Sequence, residues 1–177
     1  MAGSEKTLRL ILGDQLNPAH TWFKRPDDRV NHVIMEVRQE TDYVKHHIQK
    51  VAAFFAAMRV FADHLRRQGH RVTYLRLDDP ANRQTIRDNV LHIIRSKGIT
   101  RFEYLLPDEH RLDVQLHEFG ASLPIPCSAD DTEHFLTERY ELGEMFSGKK
   151  RFLMESFYRK MRRHYDILMD GQKPAGG

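Results

Sequence analysis

A chain of 177 residues, 40% hydrophobic and 30% charged, has the length and balance of one globular domain and excludes a disordered or membrane-embedded class. No apolar run reaches the ~18 residues of a spanning helix, and Met1 to Lys6 lack the apolar core of a secretion signal, so a cytoplasmic protein with no membrane partner is expected. The single cysteine, Cys127, excludes an internal disulfide and cannot alone hold zinc or an iron–sulfur cluster, and the net charge of +3 is modest.

In chain order, strand-like runs fall at about 7–12, 32–37, 71–77, 101–106 and 123–127, rich in β-branched and aromatic residues. The first, Leu8 to Leu12, ends on Gly13-Asp14-Gln15, a sharp turn carrying a carboxylate just past the strand. Residues 13–31, with Pro18 and Pro26, read as a long loop. Ile48, Val51, Phe55, Met58, Ala62 and Leu65 recur at three- and four-residue steps, predicting a helix over about 44–68 with Gly69 at its C-terminal end. Asp79-Pro80 reads as a helix start, running to Lys97 and stopped by Gly98. Pro107 to Arg111 is either a covering turn or a plain helix start. Helical segments follow at 138–146 and about 150–168, and the end, from Gly171, has linker composition.

This alternation predicts an α/β, doubly wound, Rossmann-like domain of about five parallel strands with helices on both faces, plus a C-terminal helical extension. The expected division is an α/β domain over 1–150 and a basic helix with linker over 151–177. Ligands of such sheets sit beyond the carboxyl ends of the strands. There the sequence places Asp14, Glu36, Glu40, Asp78, Asp79, Asp108, Glu109, Asp130 and Asp131. A rim lined with carboxylates repels phosphate and offers acceptors to a neutral, hydroxyl-rich ligand. No glycine-rich phosphate loop is present. Asp78 and Asp79 are read as ordinary caps, whereas Asp14, Glu36 and Glu40 point to a site. Adjacent His46 and His47 diverge by about 100° on a helix, so one of them is read as structural. No histidine spacing suits a metal, and no nucleophile–base pair suggests a hydrolase. Lys149, Lys150, Arg159, Arg162 and Arg163 belong to a basic stretch that could meet nucleic acid, although a solvated helix face explains it as well.

The segments LILGDQL (10–16), ETDYVKHHIQK (40–50), PDEHRLD (107–113), DTEHFLT (131–137), GKKRFLMESFYRKMR (148–162) and ILMDGQKPAGG (167–177) resemble, in order, the N-terminal domain of deoxyribodipyrimidine photolyase-related proteins. These form the bacterial iron–sulfur branch of the photolyase and cryptochrome family. The resemblance implies an antenna domain that binds 6,7-dimethyl-8-ribityllumazine through Gly13, Asp14, Gln15, Glu36, Glu40 and Phe54, with Glu109 and His110 in the turn after the fourth strand. Phe54 stands where relatives are often aliphatic, and His110 where a tryptophan can occur. It further implies a C-terminal helical domain, outside this sequence, that carries FAD, the iron–sulfur cluster and the site for damaged DNA. Light-dependent repair of pyrimidine photoproducts would then belong to the parent lyase, and the chain alone is expected to be inactive. The competing expectation is a non-catalytic interaction module with an empty pocket, docking a partner domain and touching DNA through its basic helix.

Overall fold

A computed structural model describes residues 5–175; the absence of a signal segment at Met1–Ser4 and the last two residues of the linker reading lie outside them. The chain divides into two compact units, Met1–Phe135 and Leu136–Gly177.

The first unit is built on a five-stranded parallel sheet: β1 (Thr7–Leu10), β2 (Val30–Met35), β3 (Arg71–Leu75), β4 (Arg101–Leu105) and β5 (Cys127–Asp130), in the spatial order β3-β2-β1-β4-β5. Strand alternation sends Leu8, Leu10, Val33, Phe102 and Tyr104 to one face, where they pack on α3 (Ile86–Lys97) and α4 (His110–Ala121). Ile11, Ile34 and Leu105 pack on the other face against Met58, Phe61, Ala62 and Leu65 of α2 (Ile48–Arg67). Helices therefore cover both faces, as the alternating pattern predicts. The β1–β2 connection is a loop with one 3-10 turn, Thr21–Phe23. Its Trp22 is buried on the α2 face and donates from Nε1 to Asp130 at 2.8 Å.

Several boundaries differ from expectation, each for a local reason. The fifth strand is Cys127–Asp130 rather than 123–127. Pro124 and Pro126 lack the N–H that a ladder requires, so pairing with β4 begins at Cys127. The third helix starts at Ile86, not at Asp79-Pro80. Asp79 instead closes a turn, its carboxylate accepting from Ala81 N at 2.8 Å, and Gln84 sits at φ 65°, outside any right-handed helix. Thr85 then caps α3, its hydroxyl accepting from Asp88 N at 3.1 Å. The buried Asn82 holds this loop down by donating to the carbonyls of Glu36 (2.6 Å) and Arg76 (2.8 Å). The long helix begins at Ile48, four residues later than the periodicity alone suggests, because His47 caps it through Nδ1, which accepts from Gln49 N.

The second unit contains α5 (Glu141–Met145), α6 (Met154–Tyr165) and a two-stranded antiparallel hairpin, β6 (Met169–Asp170) with β7 (Lys173–Pro174). The segment read as linker thus enters a hairpin turn, with Gly171 at φ 56°. Among the described residues no helix is long and apolar enough to cross a membrane.

Candidate functional site: a cavity beyond the strand ends

The carboxyl ends of β1, β2 and β4 open onto a cavity of about 250 Å³. The strand order reverses between β1 and β4, and the crevice at such a reversal is the place where open α/β sheets take ligands. Leu12, Met35, Val37, Met58, Ile86 and Leu112 supply an apolar interior. Asp14, Glu40, Tyr43, His46, Lys50 and Glu109 add polar groups, of which Asp14, Tyr43 and Lys50 are exposed. Such a volume lies just below the ~300 Å³ lower end of small-molecule sites, with their usual apolar lining and few polar groups.

The local chain explains the shape. Gly13 lets α2 come close: a Cβ there would stand 3.0 Å from Met58 Sδ and 3.4 Å from the Phe54 ring. The N-terminal half of α2 overhangs the sheet edge, so Lys50, Val51, Phe54, Phe55 and Met58 line the cavity at helical spacing. Phe54 lines the cavity, with Lys50 Nζ 5.8 Å from its ring centroid. Of the histidine pair, His46 lines the cavity and His47 caps the helix.

The expected site residues separate into two groups. Gly13, Asp14, Glu40, Phe54 and Glu109 come together around the cavity. Gln15, Glu36 and His110 do not line it. Gln15 is buried as a backbone staple: its side-chain carbonyl accepts from Leu12 N at 3.0 Å, and its amide donates to Leu105 O and Leu106 O at 3.1 and 3.2 Å. Glu36 is fully buried on the opposite side of β2 from Met35 and Val37, as strand alternation requires. It accepts from Arg59 Nε (2.6 Å) and Nη2 (2.9 Å), Tyr74 OH (2.6 Å) and Leu77 N (2.9 Å). Burial pushes its carboxyl pKa up, but these donors outweigh burial and hold it below the usual range. Burial, seconded by Glu36, pushes the Tyr74 hydroxyl well above its ordinary value, so it stays a donor. His110 is exposed at the first turn of α4, so the segment 107–111 is a helix start whose N-cap, Glu109, faces the cavity.

The rim is also less acidic than a tally of carboxylates suggests. Arg111 lies between Glu40 and Glu109, with Nη2 donating to each at 3.0 and 2.9 Å. Burial disfavours its charge, yet Glu40 and Glu109 together raise the guanidinium pKa. Asp108 meets His134 Nε2 at 3.0 Å, and Asp130 holds Trp22. Asp14 remains an exposed carboxylate at the mouth. No group of His, Cys, Asp and Glu that could hold a metal occurs among the described residues.

In the second unit, Arg159 pairs with Glu155 one turn earlier at 2.6 Å, and Arg162 donates to the carbonyls of Ile167 and Leu168, closing the end of α6. Lys149 lies 5.3 Å from the Phe146 ring. Lys150 and Arg163 are exposed. Part of the basic stretch thus maintains local structure.

Residues 9–177 match the family of deoxyribodipyrimidine photo-lyase-related proteins. The chain belongs to that family. Over 171 residues it is 36% identical to a (6-4) photolyase of Agrobacterium fabrum (strain C58 / ATCC 33970), covering 96% of this chain and 34% of that protein. The chain thus spans about a third of the length of that photolyase. An uncharacterized protein of Acanthamoeba polyphaga mimivirus is 26% identical over 180 residues, covering 97% of this chain and 89% of the viral protein. Among solved structures, a universal stress protein family member from Burkholderia pseudomallei aligns with 72% of this chain and 98% of its own, at a TM-score of 0.39 and 14% identity.

Proposed function

We propose that the sheet unit of this photolyase-related chain is an antenna domain whose cavity holds 6,7-dimethyl-8-ribityllumazine. The observation that supports this reading is the cavity itself, apolar within and lined by Asp14, Glu40 and Glu109 as acceptors rather than by a phosphate-binding loop. An uncharged heterocycle suits an interior lined by Leu12, Val37, Met58 and Leu112. Ribityl hydroxyls can donate to the carboxylates, whereas a terminal phosphate would find no glycine-rich backbone cradle. When bound, the pigment would supply light absorption, and the residues of this chain would hold and orient it.

On this reading the flavin, the iron–sulfur cluster and the damaged-DNA site belong to the helical remainder of a longer photolyase-related protein, which uses light to repair pyrimidine photoproducts. The test is to add lumazine to the purified protein and record absorbance and melting temperature, with FMN as the phosphate-bearing control. Lumazine at 100 times its Kd should stabilise the sheet unit by about 2.7 kcal/mol, and FMN should not. An unchanged spectrum and melting temperature at millimolar lumazine would overturn the reading.

A further inference from the structure

One wall of the cavity is a short stretch of chain with a firm foot and a lightly held tip. Val37, Glu40, Thr41, Tyr43 and His46 all line the cavity. Between them lies α1 (Arg38–Thr41), a single turn whose N-cap, Val37, makes no side-chain cap bond.

The foot is Gln39. Its side-chain amide donates to Gln115 Oε1 at 2.9 Å, its side-chain carbonyl accepts from Ile86 N at 2.9 Å, and its backbone N–H donates to Gln84 O at 3.2 Å. These bonds tie the start of α1 to α3 and α4. The tip is fastened by Arg111 of α4. Its guanidinium reaches Glu40 through Nη2 (3.0 Å) and Nη1 (3.4 Å), and Glu109 steadies its other edge through Nη2 (2.9 Å) and Nε (3.1 Å). The same guanidinium lies 4.4 Å from the centroid of the Tyr43 ring, which in turn meets the His46 ring edge-on at 5.2 Å. Tyr43 and Val44 are half exposed, at 50% and 48%.

We infer that residues 40–46 form a movable wall of the cavity and that Arg111 is its latch. An ion pair whose members are each about a third exposed, together with one cation–π contact, belongs to the interactions that open locally without unfolding the domain. Release of Arg111, together with the two backbone bonds of the single α1 turn, Glu40 N to Val37 O (3.1 Å) and Asp42 N to Arg38 O (2.8 Å), lets Glu40, Tyr43 and His46 leave the cavity mouth together. A flat ring then has a wider path to the interior past Phe54. This inference rests on the cavity being a ligand site, and it assigns Arg111 a positioning role acting through Glu40 and Tyr43.

The experiment has two arms: hydrogen exchange on wild type, Arg111→Met and Glu40→Gln, the last cutting the same bond from its other end, and ligand kinetics on wild type and Arg111→Met, because Glu40 is itself a ligand acceptor. In ligand-free protein, amide hydrogen exchange across residues 40–46 should quicken about fivefold in both variants, with residues 58–66 of α2 unchanged. In stopped flow, lumazine association and dissociation should both quicken about fivefold in Arg111→Met while Kd moves less than threefold, because a latch sets rates and not the depth of the bound state. Raising the salt should also quicken association in wild type, although an uncharged ligand feels no steering. Unchanged exchange at 40–46, or exchange rising evenly throughout the unit, overturns the latch. Unaltered rates with lumazine still bound also overturn it and leave the cavity assignment standing. If lumazine fails to bind wild type at all, the cavity assignment falls, and the exchange arm alone decides the latch.

Discussion

Glu36 and Glu40 stand four positions apart at the end of β2, and the structure uses them in opposite ways. Glu36 is fully buried, with two guanidinium N–H groups, a phenol and a backbone amide directed at it. Its work is to tie α2 to β2 and β3, since Arg59 comes from the helix and Tyr74 from the neighbouring strand. Glu40 sits at the cavity mouth, partly in water, sharing Arg111 with Glu109. The difference teaches that a carboxylate at a strand end becomes available to a ligand only if alternation and distance leave it outside the packed interior. Interior and rim therefore call for different measurements.

The largest contrast lies in stability. Glu36→Ala leaves a phenol, an amide and a guanidinium without their acceptor and should lower the unfolding free energy by about 3 kcal/mol, at the low end for a broken buried pair because Arg59 reaches solvent. Glu40→Ala should cost under about 1 kcal/mol, as partly exposed pairs do. Urea unfolding of both variants checks this, and equal losses would break the distinction between interior and rim.

Acid sharpens the same contrast. Burial pushes the pKa of His32 down to about 3, with the nearby His70 adding to the effect. The unfolded chain protonates this imidazole near pH 6.5, whereas the folded one resists until about pH 3, so its contribution is complete above pH 6.5 and is lost as the pH falls toward 3. Stability should be about 2 kcal/mol lower at pH 5 than at pH 8 from this group alone, and His32→Phe should remove that loss. Glu36, whose folded pKa is lowered, contributes above its unfolded value near 4.5 and steepens the decline below it. Unfolding curves at several pH values separate the two limbs, and a flat profile in wild type would count against both assignments.

A smaller effect probes the cavity directly. Gly13→Ala should leave stability within about 0.5 kcal/mol, since the flexible Met58 side chain can yield a few tenths of an ångström. The same methyl group intrudes on the ligand space and should weaken lumazine binding about tenfold, equivalent to about 1.4 kcal/mol. Fluorescence titration reads this, and unchanged affinity would place the pigment elsewhere.

Much of the architecture was legible in the chain because its signals are periodic. The spacing from Ile48 to Leu65 announced α2, and the apolar strands announced a covered parallel sheet. Boundaries were lost where a side chain competes with a pattern. Asp79-Pro80 looks like a cap, yet Asn82 ties the loop down and Gln84 adopts a left-handed conformation, which delays α3 to Thr85. In the cavity, Gly13, Asp14, Glu40, Phe54 and Glu109 could be placed from strand ends and family resemblance. Gln15 and Glu36 could not, because their inward orientation depends on partners far along the chain, Leu105 and Tyr74. Arg111 escaped notice because its meaning lies in a contact with Glu40 across the sheet edge. Val51, Phe55 and Met58 escaped because a stripe that looks like core changes role where the helix overruns the sheet.

Trp22 is the chain's single tryptophan, enclosed between Arg9, whose guanidinium lies 4.6 Å over its ring, and the carboxylate of Asp130. It therefore serves as a built-in lamp for the unit Met1–Phe135 and for nothing beyond it. Ultraviolet emission excited at the indole band follows the melting of that unit alone, while far-ultraviolet dichroism sums every helix. Denaturation recorded by both signals in one cuvette thus compares the unit Met1–Phe135 with the helix content of the whole chain, with no dye attached and no residue replaced.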